Sequence, residues 1–567
     1  MHNVDGESEI DDPNFFFAKN GKYNAKDELD ATIDALLNEK VFDDNSAACR
    51  FPARKEWLKE RLNITNFPQV TCREYDKVFK RVNPKSATLI FPSAHINSPA
   101  SMFGHTFLRI DSAYKSKLLS YAVNYAADAN TATENGFVFA IKGLFGGYMG
   151  KYSLLPYYDK LKEYRDSEQR DIWEYDLDLN EEEVKRMFRH IWELNGTQSQ
   201  YYFFTENCSY NILWFIEVAR PSIHLRDHFR YQVIPIATVH VAKDEGILTK
   251  NNYRPSRRTT ILAYENTIDK RYHDTTLNLV NEKIQIDDVL NNNSIYSQQK
   301  IYIFEAAIEL VEYKFSKNKI KKEDYLKLFH KLSKARASLG ISDSIEIKKP
   351  KNPIDGHRDV RVSASLGARD DKFVQMIGIR PAYQDLKDSN YGFLQGTQIE
   401  FLNFLFSNTA EDDLKVEEAT LISIASIAKR SDFFKPYSWR TKIGWDRKYT
   451  DDTSHFIATV GGGLSWGNDY GYVYMMIDPL LYTKDTITTG IGGSIGLAFE
   501  KYYWINTNIE ATHRFYETGD KQLIIEATQG FRASQNIQIQ INYDYKERVL
   551  KDKNDEQTIR LTLNYYF

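Results

Sequence analysis

The last third of the sequence alternates apolar and polar residues with a period of two, from near Gly356 to Phe567. In residues 537–545, for example, isoleucine and tyrosine alternate with glutamine, asparagine and aspartate. Successive side chains of a β-strand point to opposite faces, so each segment has one apolar and one polar face. Segments of about ten residues with this pattern are typical of transmembrane β-barrels. The pattern predicts a C-terminal antiparallel β-barrel of roughly ten to twelve strands over residues 353–567.

A soluble β-sandwich or a lipocalin-like barrel would also show alternation. Here the polar face carries residues such as Gln538, Gln540 and Asn542 in succession, which a dry core would not tolerate. Aromatic residues cluster near segment ends, as in residues 502–504, where interfacial girdles place them. The chain ends on a strand whose last residue is Phe567, which resembles the terminal signature of bacterial outer-membrane proteins. These features favour an outer-membrane barrel.

Composition excludes several other classes of function. The formal charge is −4, from 74 basic and 78 acidic residues, without the basic excess of a nucleic-acid binder. The sequence has no H-E-x-x-H motif, no P-loop and no paired C-x-x-C motif, so neither a metal nor a nucleotide cofactor is expected. No apolar run is long enough for a transmembrane helix. The first residues lack the features of a secretory signal, and we expect that a signal peptide has been removed.

Upstream of the barrel, the pattern predicts an α+β organisation in three parts. Residues 1–82 have the spacing of a small helical module, and residues 259–352 are again helical and charged. Residues 83–258 combine short strand candidates with helices. One of these helices has a clear start, because Asn180 and Glu183 form a capping-box pair. The catalytic candidates all lie in this middle part.

The chain has three cysteines, and an odd number in an exported protein suggests one disulfide and one free thiol. Cys49 and Cys72 lie in the same N-terminal segment. They could form a disulfide or remain two buried thiols, since spacing does not establish connectivity. Cys208 is the candidate reactive thiol.

Cys208 falls in the first turn of a helix predicted from near residue 207 to about residue 218. The free N–H groups and the dipole at this end stabilise a thiolate and could also donate to an oxyanion. A lone cysteine in an apolar helix is more often a small core residue. A catalytic role therefore requires a partner.

His105 is the candidate partner. It follows Gly104 and a turn of small residues, and it lies in the first residues of a predicted strand, where alternation places His105, Phe107 and Arg109 on one face. A cysteine at a helix start and a histidine on a strand are how papain-like folds build their nucleophile and base. The sequence predicts Cys208 as nucleophile and His105 as base.

A third group usually orients the imidazole. Asn124 is the first candidate because its strand, predicted over residues 118–125, is expected to pair beside that of His105. Asn207, Ser101 and His95 compete for this role. The glycine-rich loop of residues 143–150 could line a groove or be only a turn. The residues predicted to bind substrate are Ser101, Phe103, Gly146, Gly147, Tyr148 and Asn207.

At these residues the sequence resembles the family named for Lnb, the bacterial lipoprotein N-acyltransferase with an N-terminal periplasmic domain. The resemblance covers about residues 85–250, and a helical module around residues 49–54 also resembles one that precedes this domain in longer members. The segments that carry it are residues 97–107, 122–127, 143–152 and 207–211. It implies a permuted papain-like domain of the NlpC type, in which the histidine precedes the cysteine. That is the order of His105 and Cys208 here.

The resemblance implies that Cys208 is acylated, that His105 is its base, and that the acyl group passes to the N-terminus of a lipoprotein. The barrel extends beyond the domain that defines the family, so the substrate could be a lipoprotein, a phospholipid or a peptidoglycan peptide. The first expectation is a thiol acyltransferase of the outer membrane with its catalytic domain in the periplasm. The alternatives are a cell-wall peptidase or amidase with the same dyad, and a non-enzymatic barrel or scaffold.

Overall fold

The computed structural model describes residues 3–4, 6–93, 104–114, 116–128, 142–143, 146–409, 414–449, 453–483, 486–547 and 555–567. The chain divides into two compact units. The first contains Met1–Thr260 and Glu312–Tyr325, and the second contains Ile261–Val311 and Leu326–Phe567.

The first unit opens with the predicted helical module. Two short strands, β1 (Asn3–Val4) and β2 (Glu7–Ser8), pair ahead of the helices. Asn24 and Ser46 cap the first two helices through their side chains. Cys49 and Cys72 form a disulfide, which resolves the two alternatives for these thiols. The helices of this module are α1 (Ala25–Leu37), α2 (Ala47–Arg50), α3 (Pro52–Leu62) and α4 (Arg73–Val82).

A seven-stranded antiparallel sheet follows, in the order β8-β6-β5-β4-β3-β7-β9. Its strands are β3 (Pro84–Pro92), β4 (Phe107–Ser112), β5 (Tyr121–Ala127), β6 (Tyr148–Pro156), β7 (Ile172–Leu177), β8 (Gln198–Tyr201) and β9 (Leu248–Arg254). Its helices are α5 (Tyr157–Lys162), α6 (Glu181–Leu194), α7 (Cys208–Ala219) and α8 (Pro235–Asp244). Helix α7 packs on β4 and β5, so its first residue is near the start of β4.

Three local predictions need correction. Strand β4 begins at Phe107, so His105 lies just before the strand and not in its first residues. The strand predicted from residue 118 begins at Tyr121, because residues 117–119 form a 3-10 turn. In the glycine-rich segment, Tyr148 is already the first residue of β6, where it pairs with β8.

Five helices connect the sheet to the barrel. They are α9 (Arg257–Thr267), α10 (His273–Val280), α11 (Ile286–Leu290), α12 (Ser297–Ser316) and α13 (Lys322–Ser338). In the second unit, α12 buries Ile303, Phe304 and Ala307, and α13 buries Leu328 and Leu332. None of the helices in the described ranges is long and apolar enough to cross a membrane.

The C-terminal sheet of the second unit closes into a ring of twelve antiparallel strands, the upper end of the predicted range. The sheet has 14 strands, of which the short β12 (Ala382–Gln384) and β15 (Lys429–Arg430) lie off the ring. Strand β11 pairs with both β10 and β13, and this pairing closes the ring. The ring strands are β10 (Arg361–Arg369), β11 (Lys372–Arg380), β13 (Thr397–Thr409), β14 (Lys415–Ser426), β16 (Ser438–Asp446), β17 (His455–Asn468), β18 (Gly471–Thr483), β19 (Ile487–Phe499), β20 (Ile505–Tyr516), β21 (Lys521–Arg532), β22 (Ile537–Lys546) and β23 (Glu556–Tyr566).

The barrel has its apolar side chains outside and its polar side chains inside. Ile477 and Ile495 are 61% and 66% exposed on the outer face, whereas their neighbours Asp478 and Ser494 are buried. A soluble barrel would have the opposite arrangement, since exposing such an apolar surface to water is unfavourable. A closed barrel with an apolar exterior is the form in which strands cross a bilayer. The protein is an outer-membrane protein, as the alternation predicts.

Candidate active site

Helix α7 places Cys208 at its first position. The Asn207 side chain caps this helix by accepting hydrogen bonds from the N–H groups of Ser209 and Tyr210, at 3.0 and 3.2 Å. Cys208 is a free thiol, and its residue is only 4% exposed. The thiol therefore lies where the N–H groups of the first turn favour a thiolate.

The His105 ring lies against this thiol and is held from its other side. Its Nε2 is 2.9 Å from Oδ1 of Asn124, on β5. A carbonyl oxygen only accepts, so Nε2 carries the proton and donates it to Asn124. The ring is also hydrogen-bonded to Cys208. Because Nε2 is bonded to Asn124, this second hydrogen bond is made by Nδ1. Cys208, His105 and Asn124 thus form one hydrogen-bonded chain.

The charges of the pair stabilise each other. Burial raises the pKa of Cys208, but the His105 imidazolium and its hydrogen bond outweigh burial and lower the pKa to about 7. Burial likewise lowers the pKa of His105, and the Cys208 thiolate together with Asn124 reverses this effect, so the pKa is raised. Both shifts favour the thiolate–imidazolium form, which is the reactive form of such a pair.

Further donors surround the sulfur. The Ser209 hydroxyl lies 3.6 Å from Sγ, and the backbone N–H of Thr106 donates to the thiolate. Both interactions lower the pKa of Cys208, because hydrogen bonds to the charged form favour it.

Tyr201, the last residue of β8, also contacts Cys208. Its hydroxyl accepts a hydrogen bond from the backbone N–H of Cys208 at 3.2 Å, and its own O–H is directed to the Cys208 side chain. The ring stacks on Tyr125 with centroids 5.5 Å apart, so its position is fixed by the sheet. The Cys208 amide and the Tyr201 hydroxyl therefore lie together beside the Cys208 thiol.

A buried ion network supports the strand that follows His105. Arg109 is 2% exposed and bonds to Asp111 at 2.7 Å and to Glu174 at 2.8 Å. These contacts tie β4 to β7 across β3. Arg109 thus supports the scaffold and does not enter the dyad.

The predicted substrate-binding residues lie in different parts of the structure. The Asn207 amide is occupied by capping and by donating to two backbone carbonyls. Gly146 and Gly147 directly precede β6, and Tyr148, its first residue, pairs with Tyr201. Ser101, Phe103 and the competing candidate His95 lie outside the described residues.

Sequence reasoning missed Tyr201 and Ser209. Tyr201 is seven positions before Cys208, on a separate strand at the edge of the sheet, and no motif connects the two residues. Ser209 follows the nucleophile directly, but a serine in the first turn of a helix is common for reasons of capping alone. Tyr201 could be found only from the fold, which brings the end of β8 to the start of α7.

Comparison with known families assigns the middle of the chain. Residues 74–245 match the family model described as the Lnb N-terminal periplasmic domain, which confirms the family expected from the motifs. Three models of domains of unknown function match residues 1–61 (DUF7843), 251–347 (DUF7842) and 350–566 (DUF7840). No curated protein matches the chain.

The solved structures to which this chain is similar include two porins and an outer membrane channel. The NanC porin is 9% identical, covers 36% of this chain and all of its own, and has a TM-score of 0.26. The KdgM porin is 9% identical and covers 36% of this chain and 99% of its own, with a TM-score of 0.24. An outer membrane channel from Pseudomonas putida F1 is 12% identical and covers 37% of this chain and 94% of its own, with a TM-score of 0.25.

Proposed function

We propose that the protein is a cysteine-dependent acyltransferase of the outer membrane, which takes an acyl group from a phospholipid or lipoprotein through a Cys208 thioester. The observation that carries the proposal is the hydrogen-bonded chain of Cys208, His105 and Asn124, at a helix start, with the thiol pKa lowered to about 7. The same proposal includes a permuted papain-like fold for residues 83–258.

In the first step the Cys208 thiolate attacks the carbonyl carbon of an acyl ester, and its electron pair forms the C–S bond. The oxyanion that develops replaces the Tyr201 oxygen as acceptor of the Cys208 N–H, and the Tyr201 O–H turns from the thiolate to donate to the oxyanion. As the tetrahedral intermediate collapses, the C–O bond breaks and the His105 imidazolium gives its proton to the leaving alkoxide. The products are an acyl-thioester and a neutral imidazole.

In the second step an amine attacks the thioester, and the neutral His105 takes its proton. The C–S bond breaks, the amide is released, and thiolate and imidazolium are restored. Asn124 keeps the ring oriented through both steps by accepting from Nε2. With water as acceptor, the same steps would give a hydrolase.

Two features support a lipid or lipoprotein substrate over a peptide. Residues 74–245 match the Lnb N-terminal periplasmic domain, and the resemblance to that family implies acyl transfer to lipoproteins. The chain also carries a membrane barrel, which keeps the enzyme beside phospholipids and anchored lipoproteins.

The proposal is tested with the full-length protein in vesicles of bacterial phospholipid, together with a lipopeptide that has a free N-terminal amine. We expect intact-mass analysis to find an acyl adduct on Cys208 and the lipopeptide to become N-acylated. Release of free fatty acid without N-acylation would indicate a lipase. Cleavage of peptidoglycan stem peptides without any lipid adduct would favour the peptidase and reject the acyltransferase.

Tyr201 provides a prediction for the oxyanion. Replacing Tyr201 with phenylalanine keeps the ring and its stacking on Tyr125 but removes the O–H donor. Loss of one oxyanion donor costs about 10²–10³ in kcat, and we expect a fall of this size with KM little changed. Steady-state kinetics and a thermal unfolding curve check it. A Tyr201→Phe variant with unchanged kcat would show that the hydroxyl is not a donor in the transition state.

For the barrel we propose a role as membrane anchor and not as open pore, because a segment of the chain crosses its lumen. Asp388, in the connection between β12 and β13, is fully buried and pairs with Arg380 at 2.6 Å and Arg361 at 3.2 Å. The neighbouring Lys387 carbonyl accepts from Asn506 on β20 and Gln540 on β22, at 2.8 and 2.9 Å. The segment is thus tied to strands on several sides of the barrel, and a lumen cavity of about 280 Å³ remains.

The anchor role predicts little ion conductance. In planar lipid bilayers the full-length protein should show no stable open channel. A variant in which residues 386–390 are replaced by an equal length of glycine and serine should conduct. The matched control carries the same replacement in the exposed turn of residues 517–520 and should stay closed. Stable large conductance of the unaltered protein would reject the anchor role.

A further inference from the structure

The His105 ring has a second neighbour that the proposed mechanism does not use. Tyr164 stacks on it, with centroids 5.6 Å apart and an angle of 28° between the planes. The same tyrosine stacks on Phe107 at 5.5 Å and 17°, and it is 5% exposed. Tyr164 belongs to a π-helical turn, residues 163–167, that continues α5. Single π-helical turns are rare and are found frequently at functional sites.

Arg170 contacts this turn through its backbone and its side chain. Its backbone N–H donates to the Tyr164 carbonyl at 2.9 Å, and its guanidinium lies 5.5 Å from the centre of the Tyr164 ring. Its Nε donates to the carbonyl of Ser93 at 2.9 Å, and Nη1 pairs with Glu168 at 2.9 Å. Arg170 is 3% exposed, so its charge is screened less by water than that of a surface arginine.

The charged and titratable groups near the His105 ring come from several elements of the fold. Cys208 comes from α7, Tyr164 from the π-helical turn, and Arg170 from the connection that precedes β7. Lys160, on α5, lies 5.6 Å from the Tyr164 ring and pairs with Glu163. Arg170 is thus a cation that acts on His105 against the thiolate.

We propose that Tyr164 and Arg170 are positioning residues for His105, in which Tyr164 fixes the plane of the imidazole and Arg170 sets a buried cation against the Tyr164 ring, where its charge acts on the imidazolium. This inference rests on the proposed dyad and extends it. A like charge nearby disfavours a second positive charge, and Arg170 in fact acts to lower the pKa of His105.

The consequence is a base whose strength changes during the cycle. While Cys208 is a thiolate, its negative charge outweighs Arg170 and keeps the imidazolium. Once the sulfur is acylated, that charge is gone, and burial and Arg170 both favour the neutral ring. Arg170 therefore promotes proton donation to the leaving alkoxide and then keeps His105 neutral, ready to accept the proton of the incoming amine.

The test is the pH dependence of Cys208 alkylation by iodoacetate in the full-length protein. Because the other two cysteines form a disulfide, the reaction reports on Cys208. Iodoacetate is an anion, so its reaction rate is higher while the imidazolium is present and falls as His105 loses its proton. The profile should be bell-shaped, and iodoacetamide, which is neutral, serves as the reference reagent.

We expect Arg170→Gln to move the alkaline limb of this profile to higher pH by about half a unit or more, because one repelling charge is removed. Arg170→Lys keeps the charge and should restore the original limb. Tyr164→Phe keeps the stacking and should leave the profile unchanged, whereas Tyr164→Leu should reduce the peak rate about tenfold as the ring loses its orientation.

The outcomes separate the inference from the proposed function. A bell-shaped profile that is the same in Arg170→Gln and in the unaltered protein would overturn the role of Arg170 and leave the dyad in place. A rate that rises steadily with pH in the unaltered protein would show that no ion pair exists, and the dyad itself would fail. If Arg170→Gln does not fold, the comparison of Tyr164→Phe with Tyr164→Leu still tests the positioning.

Discussion

Replacing Cys208 with alanine should abolish acyl transfer, with kcat reduced at least about 10³-fold and no acyl adduct on the protein. The thiolate is the nucleophile of the proposed mechanism, and loss of a nucleophile from a comparable catalytic unit costs about this much or more. Serine should be almost as inactive, because a hydroxyl is far less ionised than a thiol whose pKa is lowered to about 7. Intact-mass analysis after incubation with phospholipid vesicles, together with the rate of lipopeptide N-acylation, measures both effects.

The fold should survive these substitutions, because alanine and serine are close to cysteine in size and the barrel lies in a separate compact unit. Barrel formation, followed by the heat-dependent shift in gel mobility, provides the control. A Cys208→Ala variant that still N-acylates the lipopeptide at more than about a tenth of the original rate would reject covalent catalysis by this residue.

The barrel was the most predictable part of the molecule. In residues 537–545 each side chain has only two directions available, and a lipid exterior with a polar lumen leaves no ambiguity about which face is which. The ring has twelve strands, the upper end of the predicted range. The segment around Asp388 could not be predicted, because its burial depends on arginines from two other strands and on no local pattern.

The sequence signals next to Cys208 and His105 were predictable, but the residues that other elements bring to them were not. The helix start at Cys208 and the turn before His105 are local signals, and Asn124 follows from strand pairing. Tyr201 reaches the nucleophile because β8 is at the sheet edge, and Tyr164 reaches His105 through a π-helical turn. Neither contact has a sequence spacing that a pattern could reveal, since both are decided by how distant segments pack.

Replacing His105 with glutamine should have the second large effect, on both the base and the ionisation of the nucleophile. Loss of general acid–base catalysis costs about 10²–10⁴ in rate. In addition, burial would then raise the pKa of Cys208 without the opposing imidazolium, so the pKa should move upward from about 7. A thiol is ionised above its pKa, so a raised pKa of Cys208 reduces the fraction of thiolate at neutral pH. With a rise of two units, only about 1% of the thiol would be ionised at pH 7.

Alkylation of Cys208 by iodoacetamide between pH 5 and 10 measures this shift directly and needs no substrate. The matched control is Asn124→Ala, in which the imidazole remains but loses its acceptor at Nε2. Because the charge of His105 is kept, the thiol pKa in Asn124→Ala should move less than in His105→Gln, while kcat still falls as the ring loses its orientation. An acid limb of alkylation that stays at the same pH in His105→Gln would mean that the helix start and the donors from Ser209 and Thr106 alone hold the thiolate. His105 would then be a base without being the counter-ion, and the ion-pair mechanism would have to be abandoned.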